Sequence, residues 1–290
     1  MSETAQQRAV KLLHILQLQQ IEEDLFLAQN EQDRPMRLFG GQVLAQAVAA
    51  ALRTVQGLRL HSLHGYFMRA GTAQRPVLYE IERIRDGRSF TTRRVVAIQN
   101  GEAIFSMDAS FQIDEAGFDH AHPMPNVPMP DELDDDVEAA AGLDADDPRM
   151  SPMAKIERPF ETRSVFRLGS EEWAQDRYFS PVWIRFREPV DPADQDLAQC
   201  LLAYASDMSL VSTASLPHLS EVVREQLQMA SLDHALWIHR RIPIDQWLLF
   251  HKRTSTAQGS RGMVHADLFA QSGELIASVT QEGLLRIRSD

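Results

Sequence analysis

The sequence predicts an α+β fold in which one module, a buried helix wrapped by an antiparallel β-sheet, occurs twice. Three observations predict it. Motifs recur in order: His64-Gly65-Tyr66-Phe67 matches His234-Ala235-Leu236-Trp237, and Val77-Leu78-Tyr79 matches Trp247-Leu248-Leu249, both at an offset of 170 residues. Asn100-Gly101-Glu102 matches Ser272-Gly273-Glu274 at an offset of 172. So long a period implies two copies of a whole domain rather than a solenoid unit. Second, Gly41–Leu52 is alanine-rich and apolar nearly all round, as a buried helix is. Third, β-prone runs flank tight-turn pairs, the strongest local hairpin signal.

Taken in order, residues 1–115 form the first module. Its helix ends at the polar pair Arg53-Thr54, and Ser89–Ile98 and Ala103–Phe111 are strands joined at Asn100-Gly101. Residues 116–155 read as an acidic, proline-rich linker, with Asp131-Glu132-Leu133-Asp134-Asp135-Asp136 and prolines at 123, 125, 128, 130, 148 and 152. Such composition disfavours a packed core and fits equally a solvated surface excursion inside one domain. Residues 156–290 form the second module. Leu197-Ala198-Gln199-Cys200 answers Leu44-Ala45-Gln46-Ala47 of the first helix, and Met263–Ala270 and Leu275–Thr280 are strands joined at Ser272-Gly273. A buried helix wrapped by an antiparallel sheet is the hotdog arrangement. Two linked copies make a double hotdog, mimicking a dimer of single-domain subunits.

Composition bounds the function. At 290 residues, 44% hydrophobic and 24% charged, the chain buries a substantial core. Its net charge of -12, from 41 acidic against 29 basic residues, argues against general nucleic-acid or anionic-membrane binding. The single cysteine, Cys200, makes no internal disulfide and no multi-thiolate metal site, and suits a reducing compartment. The apolar run Val43–Leu52 is too short to span a membrane and contains Gln46. The N-terminus lacks a secretory pattern and the C-terminus a peroxisomal tripeptide, so a cytoplasmic protein is expected.

Several motifs resemble the acyl-CoA thioesterase II family. In the first half they are Leu38-Phe39-Gly40-Gly41-Gln42-Val43-Leu44-Ala45-Gln46-Ala47, His61–Arg69, Arg85-Asp86-Gly87-Arg88-Ser89-Phe90, Arg93-Arg94-Val95 and Gln99-Asn100-Gly101. In the second they are Tyr204-Ala205-Ser206-Asp207, Leu232-Asp233-His234, Trp237-Ile238-His239-Arg240 and Thr280-Gln281-Glu282-Gly283. The resemblance runs from about residue 8 to 288, leaving only the acidic linker unmatched. It implies hydrolysis of medium- to long-chain acyl-CoA to fatty acid and CoA, without a cofactor, by a homo-oligomer (dimer or tetramer) of double-hotdog protomers. The catalytic group it implies is an Asp, a Thr or Ser, and a Gln around a water. Asp207 and Gln281 match two of these; Ser231 stands where family members often carry threonine, so the hydroxyl is kept and the methyl lost.

These residue types suit the chemistry. A carboxylate takes a proton from water as general base. Gln281 offers an acceptor and two donors, and Ser231 a rotatable hydroxyl, so both orient a water without becoming charged. Gly40-Gly41 opens the first helix, where free amides meet an oxyanion; the alternative is that these glycines only permit tight packing. Arg83, Arg85, Arg88, Arg93 and Arg94 form a basic cluster suited to CoA phosphates. Alternation along a strand keeps all five from facing one ligand, and Arg88 and Arg93 are the candidates carried forward.

His64 could touch substrate, although its match to His234 points equally to a structural hydrogen bond near the helix. Asp233 reads as a turn or strand-edge residue. His61, His64, His120 and His122 lack a metal-ligand pattern, and no metal is expected. Cys200 reads as a packing thiol. Gly259-Ser260-Arg261-Gly262 is not a nucleophile elbow. Two other functions stay open: a non-catalytic acyl-CoA-binding hotdog, and an enoyl-CoA hydratase using Asp207 with His218, which lacks the short loop that chemistry wants.

Overall fold

The structure, a computed structural model, describes residues 4–31, 37–141, 158–166, 170–222 and 226–288. The chain opens with α1 (Ala5–Ile15), started by a reciprocal cap in which Thr4 accepts from the Gln7 amide and Gln7 accepts from the Thr4 amide. Its buried residues Ala9, Leu12 and Ile15 follow helical spacing. A short hairpin, β1 (Gln19–Glu22) and β2 (Leu25–Ala28), precedes the central helix α2 (Gly40–Leu52). Then come β3 (Arg59–Phe67), β4 (Val77–Asp86), β5 (Phe90–Gln99) and β6 (Glu102–Gln112). The second half holds α3 (Asp136–Ala141), β7 (Phe160–Ser164), α4 (Glu171–Gln175), β8 (Phe179–Phe186), the second central helix α5 (Gln195–Ser206) and a single turn, α6 (Leu210–Thr213). Strands β9 (Leu227–Ser231), β10 (Asp233–Ile238), β11 (Leu248–Gln258), β12 (Arg261–Ala270) and β13 (Leu275–Ile287) complete it.

All thirteen strands join one antiparallel sheet in the order β1-β2-β4-β5-β6-β3-β10-β13-β12-β11-β8-β7, with β9 added to β13. The order reads the same from either end, so the sheet has a pseudo-twofold axis at the β3–β10 seam. Helices α2 and α5 pack against each other on its inner face. Their alanines, Ala45, Ala47, Ala50 and Ala51 against Ala198, Ala203 and Ala205, are all buried and let two helices lie close under one sheet. This is the double hotdog expected from the sequence.

Polar groups inside this core are satisfied locally. Gln46 donates to the carbonyls of Ile15 (3.1 Å) and Gln29 (2.7 Å) and accepts from the Tyr79 hydroxyl (2.9 Å), tying α2 to the N-terminal segment and to β4. Among the described residues no helix is long and apolar enough to cross a membrane.

Two details differ from the sequence reading. The repeat is offset by 171 residues in β3 and β4, not 170: Leu78 pairs with Ile98 as Leu249 pairs with Phe269, and Val77 pairs with Ala28 as Leu248 pairs with Ile184. At the seam Leu63 and Gly65 face the core as His234 and Leu236 do, so the axis runs through the His64–Ala235 pair. A slip of one residue exchanges the faces of a strand. His64 is therefore not the counterpart of His234: it lies on the exposed outer face, while His234 is buried within. The second detail concerns the linker. Its described part packs: Met124, Val127, Met129 and Leu133 cover Trp183, Trp247, Leu249 and Phe269 on the outer face of the second module, and the Trp183 indole donates to the Pro128 carbonyl at 2.9 Å. Charge and proline density hid a few anchoring side chains. The later part of the acidic segment, from residue 142, lies outside the described residues.

Arg93 is a structural arginine. It is 2% exposed, and its guanidinium donates to Thr54 Oγ1 (2.9 Å), Thr54 O (3.2 Å), Arg85 O (3.2 Å) and Asp86. It thereby ties the C-terminal end of α2 to the β4–β5 hairpin. The Arg93→Ala variant leaves a cavity and takes the donors from those carbonyls, and is expected to lose about 2 kcal/mol of stability in urea unfolding.

Candidate active site

The polar centre of the molecule lies where α5 ends. Asp207 caps that helix at its C-terminal side, an unfavourable place for a carboxylate next to outward-pointing carbonyls. It is also 7% exposed, so its oxygens need donors. Two come from the same module. Gln281 Nε2 on β13 donates to Asp207 Oδ1 at 2.7 Å, and Ser231 Oγ at the end of β9 donates to the same oxygen at 3.4 Å.

Local geometry sets each of these side chains. Ser231 precedes a break between β9 and β10 at Leu232. That break is fixed by hydrogen bonds from Leu232 N to Glu282 O (3.0 Å), from Phe67 N to Leu232 O (2.9 Å) and from Glu282 N to Asp233 Oδ1 (2.6 Å). Asp233 is thus a strand-edge residue. After Asp207, Ser209 takes a left-handed conformation (φ 59°) and starts α6. This helix seats directly on β13, where a side chain on Gly283 would meet Val211 Cγ1 at 2.6 Å.

The other module approaches from above. A Cβ on Gly40 would stand 2.7 Å from Asp207 Oδ2 and 3.1 Å from the Phe67 ring, so Gly40 is glycine because the carboxylate occupies that space. Gly41 lies against the Tyr204 carbonyl and the Phe39 ring instead. Helix α2 has no side-chain N-cap hydrogen bond, and the Phe39 carbonyl accepts from Gln42 N and Val43 N. The helix thus opens at Gly40, beside Asp207.

A cavity of about 470 Å³ reaches this point. Its wall is mostly apolar, with Phe39, Val43, Phe67, Ile104, Leu210 and Met229, and two guanidinium groups, Arg37 and Arg69, line it as well. Both are exposed. Arg69 is held by the Ala103 carbonyl at 2.9 Å and by Glu102.

Beneath the carboxylate lies His234, a buried residue that the sequence pattern does not single out for the site. His234 Nδ1 is 3.1 Å from Gln281 Nε2, and His234 Nε2 is 2.9 Å from Ser206 Oγ on α5. Burial pulls its pKa down to about 3 from the usual 6.5, so the folded protein keeps it neutral. The unfolded chain takes up that proton below about pH 6.5. Between there and pH 3 it binds more protons than the native state, so this residue's contribution to stability falls as the pH falls. Its inner-face position was hidden by the one-residue error in the repeat.

Of the eight residues singled out from the sequence, the structure joins Asp207, Ser231, Gln281 and Gly40, while Gly41 turns to the Tyr204 carbonyl and the Phe39 ring. It places the other three elsewhere. His64 sits on the outer face with its ring against Trp237 (5.1 Å, edge-on). Arg88 is exposed in the β4–β5 turn. That turn lies beside Phe90, opposite Gln112, at the far end of the strands from the Phe67–Phe105 pair that borders the cavity. Arg93 is buried at the end of α2. Cys200 is buried and its thiol is pushed well up by desolvation, so it is no nucleophile. Among the described residues no cluster of histidine, cysteine and carboxylate side chains could hold a metal ion.

Comparison with known proteins places this arrangement. Residues 31–112 match a family model described as the acyl-CoA thioesterase N-terminal domain, and residues 156–284 one described as acyl-CoA thioesterase. The chain is 34% identical to acyl-CoA thioesterase 2 of Haemophilus influenzae over 95% of its own length and 96% of the relative's. It is 36% identical to human acyl-coenzyme A thioesterase 8, over 97% and 90% of the two chains. Among solved structures, an acyl-CoA thioesterase II from Mycobacterium marinum superposes with a TM-score of 0.79 at 40% identity, covering 96% of this chain and 99% of that one.

The Gly40 contact is testable. In Gly40→Ala the new methyl must displace the Asp207 carboxylate, so a crystal structure of the variant should show the Asp207–Gln281 hydrogen bond broken. Gly71→Ala, whose nearest neighbours are the side-chain ends of Leu38 and Ile104, should leave it intact.

Proposed function

The chain belongs to the acyl-CoA thioesterase family and is a thioester hydrolase; from that premise we propose that Asp207, Ser231 and Gln281 hold and activate the water that attacks the thioester. The observation that carries this reading is the convergence of Gln281 and Ser231 on one oxygen of a buried carboxylate at the floor of the cavity. Each of these donors gives a hydrogen to Asp207. Gln281 Oε1 is buried and has no hydrogen-bond partner among the described residues. It is an acceptor placed for one hydrogen of a water whose other hydrogen goes to Asp207.

The acyl chain lies along the apolar wall, which suits medium- to long-chain groups. The carbonyl oxygen is received by the open amides of Gly40 and Gly41 at the positive end of α2, which stabilise the charge that develops on it. Asp207 accepts a proton from the water as the oxygen–carbon bond forms. Collapse of the tetrahedral intermediate breaks the carbon–sulfur bond, and the proton passes from Asp207 to the departing thiolate. The CoA phosphates meet Arg37 and Arg69 at the cavity, not Arg88 or Arg93, and the guanidinium fork suits them. The single buried thiol fits a reducing compartment such as the cytoplasm, and a dimer or tetramer of these protomers is the assembly we expect.

Asp207→Asn keeps the shape of the side chain and removes the base. Its turnover should fall about 100-fold or more while acyl-CoA binding persists. Release of free thiol reads this out; unchanged release by the variant would sink the assignment. A wild-type protein that binds acyl-CoA but releases no thiol would favour the non-catalytic reading. Arg37→Ala with Arg69→Ala should raise KM for acyl-CoA by about tenfold and leave an acyl-pantetheine thioester, which lacks the nucleotide phosphates, little affected. Arg88→Ala should change neither.

A further inference from the structure

One arrangement of protons satisfies every contact around His234. Ser206 Oγ has two close neighbours, the Ala203 carbonyl at 2.9 Å and His234 Nε2 at 2.9 Å. A carbonyl only accepts, so both contacts are hydrogen bonds when the hydroxyl proton goes to Ala203 and Nε2 carries the hydrogen that Ser206 Oγ receives. A neutral imidazole has a single N–H, which leaves Nδ1 as an acceptor. Gln281 Nε2, 3.1 Å away, is therefore its donor, and the second hydrogen of that amide goes to Asp207 Oδ1 at 2.7 Å.

An amide group has no intrinsic preference between its two flipped orientations. Turned over, Gln281 would set Oε1 against the carboxylate oxygen and against the Nδ1 lone pair. Both contacts would then be between acceptors, in a site where Gln281 is 0% exposed and His234 1% exposed.

From this relay we infer that His234 is a positioning residue for the hydrolysis: with its tautomer set by Ser206, it locks the Gln281 amide with Nε2 on Asp207 and Oε1 towards the attacking water. The inference rests on the reading of Asp207 and Gln281 given above. His234 acts through Gln281; its Nδ1 stands 3.9 Å from Asp207 Oδ1, beyond hydrogen-bond reach. Protonated, it would present Nδ1–H to Gln281 and favour the flipped amide, so its neutrality is part of the device.

The test is a double-mutant cycle on acyl-CoA hydrolysis. His234→Leu should lower kcat about 10- to 100-fold with KM within a few-fold of wild type. His234→Asn, which keeps an acceptor, should recover part of that loss. In a Gln281→Ala background the His234→Leu change should cost little more, because its route of action is already gone. Additive losses, or a kcat unchanged in His234→Leu while Gln281→Ala is impaired, would overturn the positioning role alone. An unimpaired Gln281→Ala would overturn the reading of the site on which it rests. A measurement on the unmutated protein stands apart from folding defects. Nitrogen NMR of labelled histidine should show His234 as the neutral Nε2–H tautomer throughout pH 5–9; the other tautomer, or titration in that range, would refute the proposal.

Discussion

Everything in this molecule answers to one buried carboxylate. A charge held out of water at the wrong end of a helix survives only where donors are supplied to it. Here they come from stretches of chain far apart in sequence, an amide from β13 and a hydroxyl from the end of β9, while Gly40 of the other module leaves the carboxylate its space. The break at Leu232, the left-handed turn at Ser209 and the close seat of α6 on Gly283 are explained by the need to bring those groups to Asp207.

Duplication made two places where such a centre could form, and only one has it. In the register of the two halves Gln281 pairs with Val264 as Ala109 pairs with Arg93, and Ser231 pairs with Gly283 as Leu60 pairs with Phe111. Where the second module places an amide and a hydroxyl, the first places a methyl and an isobutyl group. Arg93, which stands where the second module has Val264, lies buried beside them and is bound to Thr54 just past the end of α2. The two modules share a backbone and differ in what their interiors are for.

The sequence reading reached the architecture because its signals are local and redundant. Alanine-rich helices, tight-turn pairs and a repeat in constant order all say the same thing. It reached Asp207, Ser231 and Gln281 through a family resemblance, not through spacing, since no sequence distance relates residues that meet across a sheet. It missed where alternation matters. Aligning His64 with His234 was off by one residue, and in a strand that is the difference between the outside and the core. Arg93 sat in a run of arginines, and nothing local distinguishes the one that faces inward. In the linker, Met124, Val127 and Met129 looked like isolated apolar residues among prolines until Trp183 and Trp247 gave them a surface.

The seam between β3 and β10 has a further meaning. Two separate subunits meeting at such a seam would come from one gene, so any change at one mouth would be copied at the other. Carrying both modules on one polypeptide ends that obligation. One mouth is free to become ballast for the fold while its twin keeps the chemistry, and a single substitution such as an arginine in β5 alters one and spares the other.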